Sequence, residues 1–188
     1  MSVAPKLEPV FLNGEKIFLR PLLPSDGSDE YLSWINDPMV LRYSGRKAFP
    51  STRADLARFL DNLSGSGDVV LAICDADSRR HLGNVALNTI VWPFGSAELS
   101  IMVGARDVWG KGYGQQAIEL VAAHAFGSMG LRRLWAESPN PAFNAVMEKL
   151  GWVKEGVKRQ AFLLEGRYVD FVCWGLLRDE FRAENSSA

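Results

Sequence analysis

Histidine and cysteine are scarce in this chain of 188 residues, which contains two of each. His81 and His124 are too few for a three-histidine zinc site and have no metal-ligand spacing, so we predict no metal. Cys74 and Cys173 lie in apolar, strand-like runs, where a small buried thiol is the usual state. A disulfide is therefore not expected in a reducing compartment.

An excess of charge of one sign is also missing, because 21 basic residues stand against 22 acidic ones and the net charge is −1. This balance provides neither a basic stripe for nucleic acid nor a polybasic anchor for a membrane. Apolar runs such as Val69 to Cys74 are far shorter than the ~20 residues that span a bilayer. The start, Met1 to Gly14, lacks the apolar core of a signal peptide. We therefore expect a cytoplasmic protein that binds neither nucleic acid nor membrane.

Hydrophobic residues make up 47% of the chain, enough for one domain with its own core. Apolar patterning predicts a first hairpin at Asn13-Gly14, then a short helix, and then an amphipathic helix with its N-cap at Thr52. It next predicts three strands, a helix with an apolar stripe from Ala117 to Phe126, a strand, a helix and a hairpin that turns at Glu165-Gly166. This order indicates an α+β fold whose mixed, mostly antiparallel sheet contains one parallel crossover. We predict a single domain over residues 1–188, with its core at about 15–178 and a disordered polar tail at 182–188.

The most informative segment is Trp109-Gly110-Lys111-Gly112-Tyr113-Gly114-Gln115, which lies between a predicted strand and a predicted helix. Glycine has no Cβ, so three alternating glycines allow the loop to turn its amides inward and allow a ligand to approach the backbone. A helix that begins near Gly114 adds free N–H groups and a partial charge of roughly +0.5. The pattern predicts a site for a pyrophosphate.

Two common phosphate loops fit this segment poorly. The P-loop of nucleoside triphosphatases requires Lys and then Ser or Thr after its last glycine, whereas Gln115 and Gln116 follow Gly114. A dinucleotide fingerprint has the spacing G-x-G-x-x-G near the first strand of the domain, whereas this segment is G-x-G-x-G and comes late in the chain. On the glycine pattern alone, a tight turn without a ligand and a loop for another nucleotide both stay open.

The segment resembles the acyl-CoA loop of the GNAT superfamily of N-acetyltransferases, and Trp109 at its first position is similar to the RimJ/RimL-type branch. Further segments carry the same resemblance in the same order: Leu82-Gly83-Asn84-Val85, Ala97 to Ile101, Asn140 to Gly156, and Gly166 to Asp170. The resemblance covers roughly residues 15–178. It implies a GNAT-like fold, acetyl-CoA as co-substrate, and transfer of the acetyl group to a primary amine.

The resemblance also implies a cofactor site. The strand before the loop would separate from its neighbour, so that its backbone binds the pantetheine arm. The glycine loop would hold the pyrophosphate, and two asparagines would donate or accept hydrogen bonds. The residues assigned in this way are Ile101, Met102, Val103, Trp109, Gly110, Lys111, Gly112, Tyr113, Gly114, Gln115, Asn140 and Asn144. Met147 stands where relatives often have a tyrosine that protonates the departing thiolate, and a thioether cannot donate a proton.

Glu98 is the candidate general base. An amine with the pKa of lysine is only about 0.1% neutral at pH 7, so a base matters for such an acceptor. Glu98 lies in an otherwise apolar strand, where burial would raise its pKa toward a useful range. The alternative is an exposed strand position, because its alternation partners Ser96 and Ser100 are also polar.

The resemblance places the acceptor between the first two helices, their connection and the last hairpin, with Trp34, Arg42 and Tyr43 as binding residues. A protein N-terminus, an amino sugar or another small amine would fit. Basic residues in this region argue against a polyamine. The alternative function is a CoA-binding regulatory or interaction domain without catalysis. The apolar segment Val91 to Phe94 is a candidate for a homodimer contact or for a cap on the acceptor pocket.

Overall fold

One mixed β-sheet organises the molecule, and α-helices pack on it. The structure, a computed structural model, describes residues 9–65 and 67–182, so the predicted tail lies outside the described residues beyond Arg182. The strands are β1 (Leu12–Asn13), β2 (Ile17–Pro21), β3 (Val69–Asp75), β4 (His81–Val91), β5 (Ser96–Val103), β6 (Arg133–Ser138), β7 (Val153–Leu164) and β8 (Arg167–Leu177). The helices are α1 (Asp29–Trp34), α2 (Arg53–Asn62), α3 (Tyr113–Gly127) and α4 (Pro141–Lys149).

The sheet has eight strands in the order β1-β2-β3-β4-β5-β6-β8-β7. Within the described part of the chain, β5 and β6 form the one parallel pair, and the other neighbours are antiparallel. The predicted α+β class is therefore confirmed, with the crossover running through α3. Both predicted hairpins are present as well. Glu165 and Gly166 have φ values of +50° and +81°, as a two-residue turn between twisted strands requires.

The helix after the glycine loop packs on the sheet through the stripe that its sequence predicts. The buried positions of α3 recur at helical spacing and are Ala117, Ile118, Val121, Ala122, Ala125 and Phe126. At the start of the helix, a Cβ built on Gly114 would lie 3.4 Å from Val103 Cγ2 and 3.6 Å from Ile101 Cδ1. The first turn of α3 therefore lies directly over the end of β5.

Strand alternation places the two halves of the candidate site on opposite faces of β5. Ile101 and Val103 face α3, so Glu98, Ser100 and Met102 point to the other face. Met102 pairs with Asn84 of β4, whose side-chain amide donates to the hydroxyl of Tyr31 in α1. The carboxylate of Glu98 therefore belongs to the face that carries α1.

The N-terminus of α2 has the predicted cap. Thr52 Oγ1 accepts from the amide of Asp55 at 3.2 Å, and the Asp55 carboxylate accepts from the amide of Thr52 at 2.9 Å. Neither Cys74 nor Cys173 forms a disulfide; Cys74 is fully buried, as expected, whereas Cys173 on β8 is only partly buried. No helix in the described residues combines the length and the apolar character needed to cross a bilayer. Among those residues, no three His, Cys, Asp or Glu side chains are grouped to hold a metal ion.

Candidate active site

The sheet opens between β5 and β6. Their parallel pairing consists of three residue pairs and ends at Glu98 opposite Trp135. Beyond that point β5 continues to Val103 and β6 to Ser138, and no further pairs join the two strands. An unpaired strand edge presents backbone N–H and C=O groups to any extended ligand beside it. The predicted pantetheine-binding residues, Ile101 to Val103, lie on this open edge.

The glycine loop is shaped as a cradle at the end of this edge. Gly110 and Gly112 have φ values of +75° and +87°, which other L-residues rarely adopt. A Cβ built on Gly110 would meet nothing within 4 Å, so there is free space in front of the loop. Gly112 is the N-cap of the 15-residue helix α3 and supplies no side-chain cap, which leaves the first amides of the helix for a ligand. Trp109 Nε1 donates to Val103 O at 2.8 Å and thereby fixes the loop to β5.

The charges around the loop favour an anion. The carboxylate of Asp107 pairs with Arg80 at 2.9 Å. The carboxylate of Asp75 accepts from the hydroxyl of Tyr113 at 3.0 Å and from Ser78, whose bonds hold the pKa of this carboxyl below its usual value. Because these two acids are engaged in an ion pair and in hydrogen bonds, the positive end of α3 is the charge that the loop offers to a ligand. The cradle and its charge fit a diphosphate.

Lys16 adds a cation to this site that no sequence pattern predicts here. It follows the turn between β1 and β2, and its Nζ donates to Lys111 O in the glycine loop at 3.3 Å. The two residues are 95 positions apart in the chain. Only the packing of the first hairpin against α3 brings them together.

Glu98 lies at the last residue pair before the strands separate, and it is half-buried. Burial raises the pKa of this carboxyl, the nearby charge of Glu137 raises it further, and Lys158 opposes the shift. Lys158 and Glu137 form an ion pair on the same side of the sheet. The exposed strand position weighed as an alternative for Glu98 is therefore not what the structure has. Its environment makes this carboxylate a better proton acceptor than an exposed one.

The two predicted asparagines lie on the far side of the opening, at the start of α4. Asn140 caps this helix through a bond from the Ala142 amide to its Oδ1 at 3.0 Å. Asn144 Oδ1 accepts from Trp174 Nε1 at 2.9 Å, and its Nδ2 donates to the carbonyl of Ser138 at 3.4 Å. These bonds hold the end of β6 and α4 in position. Met147, on the same helix, is fully buried.

The predicted acceptor residues occupy different environments. Trp34 is buried in the core, where its ring packs at 5.1 Å, centroid to centroid, from His81. Arg42 pairs with Glu165 at the tip of the last hairpin at 3.0 Å, and its guanidinium lies 5.5 Å from the ring of Tyr43. Between these segments is a cleft of about 630 Å³. Its lining comprises Ile35, Asn36, Pro38, Leu41, Arg42, Lys47, Ala48, Phe49, Pro50, Leu164 and Glu165.

Gly104 is the residue that lets Trp34 pack where it does. A Cβ built on Gly104 would lie 2.1 Å from Trp34 Cδ2, a distance that no real contact has. We predict that Gly104→Ala displaces the ring and lowers the free energy of unfolding by about 1–3 kcal/mol, as overpacking does. Denaturant unfolding measures this change. Gly45→Ala is the matched control, since a Cβ there meets nothing within 4 Å. Equal stability of the two variants would contradict the tight packing of Trp34.

A sheet that opens beside a glycine-rich helix start, with a half-buried carboxylate at the opening, defines an acyltransferase that uses a phosphate-bearing acyl carrier. The family described as "Acetyltransferase (GNAT) domain" matches residues 16–153. The chain therefore belongs to the GNAT acetyltransferase family.

Individual relatives agree with this assignment. The chain is 27% identical over 172 residues to the uncharacterised N-acetyltransferase p20 of Bacillus licheniformis, and the match covers 89% of this chain and 96% of the relative. A GCN5-related N-acetyltransferase from Brucella melitensis has a TM-score of 0.72 at 27% identity, covering 94% of this chain and 82% of that one. A spermidine N-acetyltransferase from Vibrio cholerae, in complex with CoA and spermine, has a TM-score of 0.80 at 22% identity, covering 89% and 98%. This last likeness concerns the fold alone.

Proposed function

We propose that this protein is an acetyl-CoA-dependent N-acetyltransferase of the RimJ/RimL type, which transfers the acetyl group to a primary amine by direct attack. One observation carries the proposal: the pairing of β5 with β6 stops at Glu98, so an open strand edge runs from a half-buried carboxylate to the end of β5, where the glycine loop and the start of α3 lie. The segment from Trp109 to Gly114 supports the RimJ/RimL type.

Acetyl-CoA supplies an activated thioester to this site. The amides of residues 109–115 bind its diphosphate at the start of α3, where N–H groups and the helix dipole favour negative charge. The backbone of Ile101, Met102 and Val103 aligns the pantetheine arm. An N–H of this edge, aimed at the thioester oxygen, stabilises the charge that develops there by about 3–4 kcal/mol. Asn140 and Asn144 support the cofactor from the opposite side.

Glu98 acts as the general base and takes the proton of the acceptor amine, directly or through one water. Its raised pKa makes it a better base than an exposed carboxylate. The chain assigns no proton donor to the leaving thiolate, because the side chain of Met147 is a buried thioether. A thiol of ordinary pKa can depart as the thiolate and be protonated by water.

The acceptor enters through the cleft between the α1–α2 connection and the last hairpin. Strand β7 connects this cleft to the surroundings of Glu98. Lys158 of β7 pairs with Glu137 near Glu98, and Leu164 of β7 lines the cleft. These two residues are six positions apart, which is at most about 20 Å along a strand. Arg42 and Tyr43 contact the acceptor, and the buried ring of Trp34 supports that wall. The charged residues that line the cleft are two cations, Arg42 and Lys47, and one anion, Glu165. Because a polyamine carries several positive charges, this lining favours a protein N-terminus, an amino sugar or another small amine instead.

The whole chain acts as one domain in the cytoplasm. A homodimer is included in the proposal because Trp92 and Phe94 expose 61% and 65% of their surface. Exposed aromatic residues grouped in this way are typical of contact surfaces.

Release of free thiol from acetyl-CoA, measured across a panel of peptides, amino sugars and aminoglycosides, tests the proposed activity. We expect turnover with at least one class of amine. CoA binding measured in parallel separates the outcomes. Tight CoA binding with no transfer across the panel would identify a regulatory CoA-binding domain instead. Thermal stabilisation by a dinucleotide but not by CoA would indicate another nucleotide ligand.

A further inference from the structure

The first hairpin of the molecule brings a cation to the anion cradle. Lys16 is exposed, and its Nζ lies 3.3 Å from Lys111 O and 3.7 Å from the position of a Cβ built on Gly112. Within residues 9–65 and 67–182, this ammonium makes one hydrogen bond, which it donates to Lys111 O. It has no carboxylate partner among those residues. An ammonium held by a backbone carbonyl in front of a cradle of free amides is well placed for an anion.

The position of Lys16 is built into the fold. Gln116 Oε1, in the first turn of α3, accepts from the backbone amide of Lys16 at 2.9 Å and from that of Ile17 at 3.2 Å. Gly14 makes this contact possible, since a Cβ built there would lie 2.9 Å from the same oxygen. The turn before β2 is therefore anchored to the helix whose N-terminus forms the cradle.

The other charged groups at the loop are already paired or less favourably placed. Arg80 is committed to Glu30 and Asp107, and the charge of Lys111 acts on Asp107. Asp75 accepts hydrogen bonds from Tyr113 and Ser78. Lys16 has no carboxylate partner among the described residues, so its charge is available to a ligand in the cradle.

We infer that Lys16 binds the diphosphate of the acyl carrier, with Gln116 acting as the residue that positions it. This inference rests on the proposed function, because it takes CoA as the ligand of the cradle. The ammonium neutralises charge that the amides only solvate, and it does so beside Gly112, the N-cap of α3.

Calorimetric titration of CoA into wild type and Lys16→Met tests the inference, since Met keeps most of the aliphatic stem and removes the charge. We expect the Kd to rise about tenfold, the lower end of what a charge-assisted hydrogen bond contributes. Lys154→Met is the matched control, because Lys154 is an exposed lysine on β7 at the other edge of the sheet. Its Kd should equal that of the wild type. An unchanged Kd in Lys16→Met would overturn the inference, whereas a wild type that does not bind CoA would overturn the proposed function itself.

Two further measurements test which phosphate of CoA Lys16 contacts and whether Gln116 positions Lys16. With CoA lacking its 3′-phosphate, the loss caused by Lys16→Met should be the same; disappearance of the loss would show that Lys16 contacts the 3′-phosphate and not the diphosphate. Gln116→Ala should weaken binding in the wild type and add nothing in Lys16→Met, because the two changes remove one interaction. Additive losses would contradict the positioning role of Gln116.

Discussion

Glu98→Gln is expected to lower kcat/KM by about 100-fold or more while leaving the Kd for CoA unchanged. Gln has the shape of Glu but cannot accept the proton of the amine. The carboxylate lies at the point where the sheet opens, and the predicted cofactor contacts are made by backbone groups and by the loop, so binding should not depend on it. Steady-state kinetics with the best acceptor of the panel, together with calorimetry for CoA, measures both quantities.

The pH dependence of the same variant identifies the role of the side chain. Burial and then the charge of Glu137 raise the pKa of Glu98, so wild-type activity should fall as the pH drops through a value above that of an ordinary glutamate. The pH–activity profile of Glu98→Gln should lack the change in rate that is due to Glu98 and should keep only the change that is due to ionisation of the acceptor amine. Glu148→Gln, a change at an exposed position of α4, is the control and should retain the wild-type profile. An unchanged profile in Glu98→Gln would remove the base assignment.

Stability provides a second check on this variant. An acid whose pKa is raised in the folded state binds its proton more tightly there than in the unfolded state. The stabilisation associated with that proton is present below the unfolded pKa and is lost as the pH rises through the folded value. Above the folded pKa the ionised carboxylate therefore costs stability, and the neutral Gln should leave the protein at least as stable there. Marked destabilisation in denaturant unfolding would mean that lost activity reflects misfolding.

Gly112→Ala is expected to raise the Kd for CoA by about 10- to 100-fold, the cost of losing one to two cradle hydrogen bonds to a charged phosphate. Gly112 has a φ of +87°, where a Cβ is strained by about 1–2 kcal/mol. Alanine at this N-cap relieves that strain by rotating the peptide, which turns the first amides of α3 away from the diphosphate. Calorimetry measures the Kd, and denaturant unfolding measures the strain.

Gly151→Ala is the control for strain alone. Gly151 follows α4 with a φ of +74°, and a Cβ built there meets nothing within 4 Å. The two alanine variants should therefore lose similar stability, whereas only Gly112→Ala should lose affinity. If both variants bound CoA as well as the wild type, the glycine loop would not be the phosphate site.

Local patterns in the sequence predicted much of the fold. The apolar stripe of α3, the cap at Thr52 and the turn at Glu165-Gly166 depend on residues close together in the chain, and each is present in the structure. The glycine loop also stood out in the sequence, but its glycine pattern alone left open a tight turn without a ligand or a loop for another nucleotide, and the family resemblance was needed to predict CoA as its ligand. The separation of β5 from β6 was implied by the family resemblance and not by periodicity, which does not describe strand pairing.

Contacts between distant segments could not be predicted in this way. Lys16 reaches the loop only because Gln116 anchors the first hairpin, and neither residue belongs to a recognisable motif. The half-burial of Glu98 depends on neighbouring strands, so alternation with Ser96 and Ser100 was ambiguous. The pairing of Arg42 with Glu165 likewise joins segments far apart in the chain. Such features require the tertiary structure.

Titration calorimetry of CoA with the folded wild-type protein tests the central claim most directly. The amides of the glycine loop and the open edge of β5 are held by the fold before the ligand arrives, so we predict a saturable heat with one CoA bound per chain. The absence of any heat, on protein whose cooperative unfolding shows it to be folded, would contradict the account.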